Sequence, residues 1–334
     1  MNINNSASRL LTVLKFLNEN IAEQEPIVIK ELLEYLHKCG YKTERCTLIG
    51  DLNALEAFNT GVRHKNRKYY YQKTELTLEE LMLLSDAISC SNYIDEKNTD
   101  VLIKKLKTLT SLPNSQLLNS QFDICVKPKQ MNPLCISNAG NIHKAISENK
   151  QISFGYLHYN KEKRLIKKDN YRKKVSPYKL VWDNSQYYLI AVDDKKGNYL
   201  VNYRVDKLFD LKILDTPRKK LRSDNEFYSA SLCGIDTEKY LKSIFFMFAS
   251  KDNKLSKIKI WIHESVIGAF ADKFGKDFLT VKSGKEWVEA VIFVQLSDTF
   301  FGWIFQFGSF VKILTPEIQA EYLKRLRNIN DFYK

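Results

Sequence analysis

The sequence predicts an α+β protein of several domains. Three observations carry that expectation. Apolar residues recur at helical spacing over residues 8–58, alternation at a period of two replaces this over 151–215, and the C-terminal part interchanges strands and helices in the order β-α-β-β-α-β. The expected layout is a winged helix-turn-helix at 1–75, a helical linker at 76–137, a small antiparallel β-barrel at 138–220, and a connector helix with a ferredoxin-like α/β extension at 221–334.

Residues 8–21 form the first expected helix, with Leu10, Val13, Leu14, Leu17 and Ile21 along one face. Pro26 interrupts it. A second helix carries Ile29, Leu32, Leu33 and Leu36, and Gly40 stands where a helix C-cap needs positive φ. A third begins near Thr43, with Leu48, Leu52, Leu55 and Phe58 on its inner side. Gly61 to Tyr71 reads as a short hairpin holding Arg63, Lys65, Arg67 and Lys68. Three helices and a basic hairpin describe a winged helix.

Thr77-Leu78-Glu79-Glu80 is a capping box that opens a helix to about Ser89, and another helix spans Thr99 to Leu109. Residues 112–135, with Pro113, Pro128 and Pro133, read as a connector. A short helix at 141–149 leads into strands at 151–159, 173–182, 186–193, 199–206 and 209–215, with a basic loop from Lys161 to Lys168 after the first. Lys195-Lys196-Gly197-Asn198 is the turn of a hairpin. Beyond a linker from Pro217 to Asn225, a helix starts at Thr237. Strand 257–262, helix 264–274 and strands 278–282 and 286–295 follow. A helix capped by Asp298 runs to Phe307 and ends at Gly308; a strand at 310–314 precedes a closing helix from Pro316 to about Ile329.

The net charge of +13 is concentrated. Residues 150–220 hold 18 lysines and arginines against 8 acids, an excess of 10, whereas the other stretches lie between −1 and +2. Such a local excess favours polyanionic partners over a uniformly solvated surface. The six cysteines form no C-x-x-C pair, and His37, His64, His143, His158 and His263 show no metal-ligand spacing. No P-loop, G-x-S-x-G or G-x-G-x-x-G occurs, so neither an enzyme nor a cofactor is expected. The N-terminus lacks an apolar signal region and the apolar runs are too short to span a bilayer, so the expected compartment is the cytoplasm, away from membranes.

Tyr187-Tyr188-Leu189 stands between Val175-Ser176-Pro177-Tyr178-Lys179-Leu180 and Tyr203-Arg204-Val205-Asp206-Lys207-Leu208. This frame resembles the WYL-domain transcriptional regulators, with tyrosine in place of the name-giving tryptophan. That family usually shows Arg-x-Asp-Arg-Ile where this chain has Arg204 to Leu208. The ending Trp303-Ile304-Phe305-Gln306-Phe307-Gly308, with Val311, Thr315 and Pro316, is similar to the family's C-terminal WCX extension. In the third helix, Thr47, Asp51 and Leu55 match the family's Arg-Thr-Ile-x-Arg-Asp-x-x-x-Leu, while Cys46 and Gly50 stand where arginines are usual. The resemblance implies an Sm-like barrel that senses an effector, a winged helix on double-stranded DNA, and a homodimer.

The candidate DNA-binding residues are Lys42, Thr43, Arg45, Thr47 and Asn53 on and before the third helix, with Arg63, Lys65, Arg67 and Lys68 on the wing. The candidate effector-binding residues are Tyr156, Ser176, Tyr178, Tyr188, Arg204 and Lys207, a patch of rings and cations suited to a nucleotide or a single strand. Tyr187 and Leu189 are expected inside, with Tyr188 facing the other way. A packing role, with Arg204 paired to Asp206 or Asp193, stays open beside the effector site. So does a second function, that of a single-strand-binding accessory protein of a nuclease or defence system.

Overall fold

The computed structural model describes residues 6–22, 25–118, 132–167, 172–197, 199–230, 234–275 and 278–334. It is a mixed α/β structure with several sheets, and the chain divides into two compact units, residues 1–133 and 134–334.

In the first unit, α1 (Ser6–Asn20), α2 (Ile29–Lys38) and α3 (Arg45–Ala57) enclose Val13, Leu17, Leu32, Leu36, Leu48 and Leu52, all completely buried. Gly40, at φ 91°, makes the reversal between α2 and α3 that an L side chain would resist. Arg9 of α1 grips Asp51 of α3 through two hydrogen bonds, Nε to Oδ2 at 2.6 Å and Nη2 to Oδ1 at 2.9 Å. Strands β1 (Val62–Lys65) and β2 (Lys68–Tyr71) pair antiparallel around Asn66-Arg67. Both turn residues have positive φ, 52° and 63°, the two-residue geometry that matches strand twist. Asparagine tolerates it; arginine there is strained by about 1–2 kcal/mol. The hairpin is anchored by the Ile27 N–H donating to Tyr69 O at 2.7 Å.

Helix α4 (Leu78–Cys90) has both halves of its capping box, Thr77 with Glu80. Asp95 caps α5 (Glu96–Lys107). Helix α6 (Leu112–Leu117) forms where only a connector was expected, because Pro113 falls in its first turn, where a missing N–H leaves no partner unsatisfied. The middle of that connector, residues 119–131, lies outside the described residues, as do Lys168 and Asn198 of the basic loop and the lysine turn.

The second unit opens with α7 (Cys135–Ser147), which starts earlier than expected and lays Ile142 and Ala145 on the sheet. The sheet comprises β3 (Lys150–Tyr159), β4 (Leu165–Lys167), β5 (Lys173–Asp183), β6 (Gln186–Asp193), β7 (Leu200–Arg204) and β8 (Leu208–Pro217). Strand order is β4-β3-β5-β6-β7, with β8 on β3's other side. β4 is an addition: residues 165–167 of the expected basic loop pair with Leu157–Tyr159. β5 carries a bulge between Pro177 and Lys179, at Tyr178. The side chain of Phe209 lies over Gly155, where an added Cβ would come within 2.1 Å of the ring.

The expected barrel is not closed. β7 and β8 stand at opposite edges and do not pair among the described residues. The physical reason is the link between them, a 3₁₀ turn at Val205–Lys207 that removes these residues from the ladder. The edge of β7 is covered instead: Leu200 N–H donates to Asn253 Oδ1 at 2.5 Å, and Asn253 Nδ2 donates back to Leu200 O at 3.1 Å.

Helix α8 (Thr237–Ser243), capped by Asp236, adds Tyr240 to a core with Phe227, Ile190 and Val192. Then come β9 (Ser256–His263), α9 (Ile267–Phe274), β10 (Leu279–Ser283), β11 (Trp287–Val294), α10 (Asp298–Phe305), β12 (Val311–Ile313) and α11 (Pro316–Phe332). The four strands are antiparallel in the order β10-β11-β9-β12. Ile258, Ile260 and Ile262 face Phe270, Phe300 and Ile304 of the helices. The cap of α10 is Ser297, whose hydroxyl accepts from Phe300 N–H; Asp298 is the first helical residue, and not the cap expected. No described helix is long and apolar enough to cross a membrane.

The Arg9–Asp51 pair is the main polar tie between α1 and α3. Asp51→Ala is expected to lower stability by about 2–3 kcal/mol, since it strands a partly buried guanidinium. Arg9→Met/Asp51→Leu should recover most of that loss, as judged by urea denaturation of the wild type and the two variants.

Candidate functional site

The proposed effector residues separate into two places. The first lies where the sheet fails to close. Tyr188 and Arg204 are direct partners on β6 and β7, so their side chains share a face, and Leu189, next along β6, is buried on the other. The Tyr156 hydroxyl accepts from Arg204 N–H at 3.3 Å across the open seam. Tyr156 also meets Tyr203 and His158 edge-on, at 5.6 and 5.5 Å. Lys207 sits beside them, its ammonium 5.7 Å from the Tyr159 ring.

Arg204 is not free. Its Nε donates to Asp206 Oδ1 at 3.1 Å and its Nη2 to Oδ2 at 2.9 Å. Asp206 is nearly fully buried, while the guanidinium remains about one-third exposed. The pairing alternative is therefore realised with Asp206; Asp193 instead accepts from Tyr203 at 2.5 Å and lies 3.9 Å from Lys173. The cluster's environment is legible in its acidities. Burial pushes the Tyr156 hydroxyl up to about 12. Burial, and then the Arg204 charge, lowers Lys207. Tyr188 is raised by burial, against the pull of Arg204.

Ser176 and Tyr178 lie elsewhere. Ser176 is fully buried, accepting from Gln151 Nε2 and from Lys219 N–H, both at 3.0 Å. Tyr178 is only 2% exposed; its hydroxyl donates to Lys219 O at 2.7 Å and Arg218 lies 4.6 Å over its ring. Both lie beneath the segment after β8, bonded to Lys219. Tyr187 is half-buried against Trp182 rather than inside.

Sequence reasoning missed several neighbours. Lys167 stands 4.7 Å over the Phe209 ring, and Arg172 donates to Ser153 O at 3.1 Å while pairing with Asp210. The glycine at 155, within a strand, was the available signal for a ring lying on the backbone. Ion pairs occupy Lys150, Arg172, Lys173, Arg204, Lys212 and Lys219. The loop residues Lys161, Lys163, Arg164 and Lys167 have no ion pair with a described residue, so the local positive field survives there.

In the first unit, Lys42, Arg45 and Thr47 are exposed at and before the N-terminal half of α3, as are Cys46 and Gly50. Thr43 is buried, and its carbonyl accepts from His37 Nε2 at 3.0 Å. Asn53 is exposed but accepts from the Tyr69 hydroxyl at 2.5 Å, and Glu56 accepts from His64 N–H at 2.6 Å. The C-terminal half of α3 is thus engaged with the hairpin. Lys65, Arg67 and Lys68 project from the hairpin tip, and Arg63 reaches both Glu75 oxygens at 3.0 Å in an exposed pair. No group of three metal-ligating side chains occurs among the described residues.

Among solved structures, proteasome accessory factor B/C (PafBC) of Arthrobacter aurescens aligns with 96% of this chain and 48% of its own, at 16% identity and a TM-score of 0.27. A CRISPR Cas-related protein aligns with 98% of this chain and 84% of its own, at 15% identity and a TM-score of 0.37. The chain spans about half the length of the first. No curated protein matches it. Residues 137–213 match the WYL domain family. The cluster of Tyr156, Tyr188, Arg204, Asp206 and Lys207 therefore lies inside a WYL domain, which this chain contains.

Proposed function

We propose that this protein is a homodimeric, cytoplasmic, DNA-binding transcriptional regulator whose WYL domain senses a nucleotide or single-stranded nucleic acid. In this reading residues 1–75 are a winged helix, 76–137 a helical linker, 138–220 the sensing domain, and 221–334 a connector helix with a ferredoxin-like WCX extension. The observation that carries it is the cluster at the open seam: two tyrosines, a guanidinium and an ammonium gathered on one WYL domain, beside a loop whose cations make no ion pair with a described residue. Rings and cations so combined suit stacked bases and phosphate. On the DNA side, the exposed N-terminal half of α3 and the basic hairpin tip supply the base-reading and phosphate-holding parts of a winged helix. The effector changes DNA affinity by the ratio of its affinities for the DNA-bound and DNA-free forms.

Catalysis and a cofactor have no place in this reading. Lys273, the described lysine whose pKa burial lowers to about 8, has its ammonium committed to the carbonyls of Leu241 and Ile244, at 3.0 and 2.5 Å. One observation favours the second function, an accessory protein binding single strands: on the outer face of α3, Cys46, Gly50 and the tethered Asn53 offer no cation.

Two outcomes test the regulator. Lys65→Ala/Arg67→Ala/Lys68→Ala is expected to weaken binding to duplex DNA from the protein's own promoter region at all sequences, and to flatten the dependence of log Kd on log salt by about 0.9 for each phosphate no longer neutralised. Arg45→Ala should instead change which sequences are preferred. Unaltered duplex binding in all four substitutions, measured by fluorescence anisotropy, would favour the accessory role.

For the WYL domain, Lys207→Ala should weaken binding of short single strands or nucleotides and leave the melting temperature in place, because Lys207 makes no ion pair with a described residue. Tyr188→Ala should weaken single-strand binding by about 1–3 kcal/mol. Tyr178→Phe should do the reverse of Lys207→Ala, lowering the melting temperature by removing the bond to Lys219 O without affecting ligand. Calorimetry paired with thermal melts distinguishes these, and equal ligand affinity in wild type, Lys207→Ala and Tyr188→Ala would sink the effector assignment.

A further inference from the structure

The C-terminal sheet buries one face against α9 and α10; on the other, Lys257, Lys259, Trp261 and Phe293 are exposed while Val291 is covered. Along β9, Ile258, Ile260 and Ile262 point inward and Lys257, Lys259 and Trp261 outward. The register aligns Glu289, Trp261 and Lys312 across β11, β9 and β12, so all three share the outer face, as do Trp287 and its partner His263 one step on. Trp261 is 41% exposed. Its ring centroid lies 6.3 Å from that of Trp287 with the planes tilted by 48°, so the two indoles do not cover each other's faces. The Lys312 ammonium lies 5.5 Å from the centroid of the Trp261 ring, Lys259 stands two residues along the same strand, and Lys282 is opposite Glu289 on β10.

This chemistry points to one kind of occupant. A face built to dock protein concentrates apolar contacts and depletes charge at its centre. Here the central tryptophan is bordered by ammonium groups, and Glu289 is the single carboxylate among the described strand residues on this face, against four lysines at 257, 259, 282 and 312. Large rings on the two middle strands of a four-stranded antiparallel sheet, edged by cations, form a platform on which unpaired bases stack while lysines follow the phosphates. We infer that the outer face of the β10-β11-β9-β12 sheet is a second nucleic-acid site, one that takes two unstacked bases of a single strand on Trp261 and Trp287. It is separate from the WYL cluster and does not depend on that cluster's role.

The test uses the full chain with fluorescein-labelled twelve-residue oligo(dT) and oligo(U), and a duplex of the same length. Trp261→Ala and Trp287→Ala should each raise the single-strand Kd about tenfold in a Lys207→Ala background, where the WYL cluster contributes less, and Trp261→Phe should restore most of the affinity. Lys259→Glu/Lys312→Glu should weaken binding and flatten its salt dependence. Strands carrying 5-iodouridine, photo-cross-linked and mapped by mass spectrometry, should give adducts on peptides holding Trp261 or Trp287. Adducts confined to peptides between Tyr156 and Lys207 would overturn the second site while supporting the first. Single-strand affinity unchanged by both tryptophan substitutions would also overturn it. So would a change in oligomeric state by sedimentation with no change in affinity, which would make this face a protein interface.

Discussion

Three residues govern the WYL sheet. The chain leaves β7 at Arg204 and joins β8 at Leu208, yet these strands are separated by β6, β5 and β3. Laid flat, four inter-strand steps would span about 19 Å, whereas four peptide units reach about 14 Å at most. The sheet has no choice but to curl, and Val205 and Asp206, both buried, pin the turn that forces it. Curling brings Tyr156 of β3 up to the backbone of Arg204 and places Lys207 beside Tyr159. The cluster is therefore a by-product of topology: the same short crossing that keeps the ladder from closing gathers side chains from β3, β6 and β7.

An analogous division of labour organises the first unit. Asp51 holds α1 through Arg9, and Asn53 and Glu56, further along the same helix, hold the hairpin through Tyr69 and the His64 amide. From Asp51 onward, Asp51, Leu52, Asn53, Leu55 and Glu56 of α3 are engaged with the rest of the unit. On the preceding turn and a half, Arg45, Cys46, Thr47 and Gly50 face solvent while Leu48 points into the core. The hairpin keeps Arg67 in a left-handed conformation that glycine would adopt without strain, so the chain retains a charge at its tip in preference to an easier turn.

Much of this was legible in the sequence because it obeys local rules. The capping box at Thr77, the helix end at Gly40 and a hairpin between Gly61 and Tyr71 follow from spacing and composition over a few residues. What escaped depends on contacts between distant residues. Tyr178 alternates like a surface residue, but the bulge at Pro177–Lys179 and the segment carrying Arg218 and Lys219 bury it. Ser176 is hidden by bonds to Gln151 and Lys219, and Thr43 by the fold of α2 onto α3. The open barrel was misjudged because periodicity reveals strands without their partners. The tryptophan pair of the C-terminal sheet went unnoticed for a similar reason: Trp261 and Trp287 are far apart in sequence and become neighbours only through the β9–β11 register.

In the proposed reading, the internal pairing of Arg204 with Asp206 would shape how the WYL cluster responds. A phosphate arriving there meets a guanidinium whose charge is already balanced within the same turn. Binding is then an exchange, in which one anion takes over contacts from another, and a lone phosphate gains little by it. Net gain comes from what the carboxylate does not offer: a ring to lie on, and a second negative group for Lys207 or the lysines of the neighbouring loop. In the proposed reading the resident acid would act as a threshold, favouring ligands that are long, flat and multiply charged over abundant small anions.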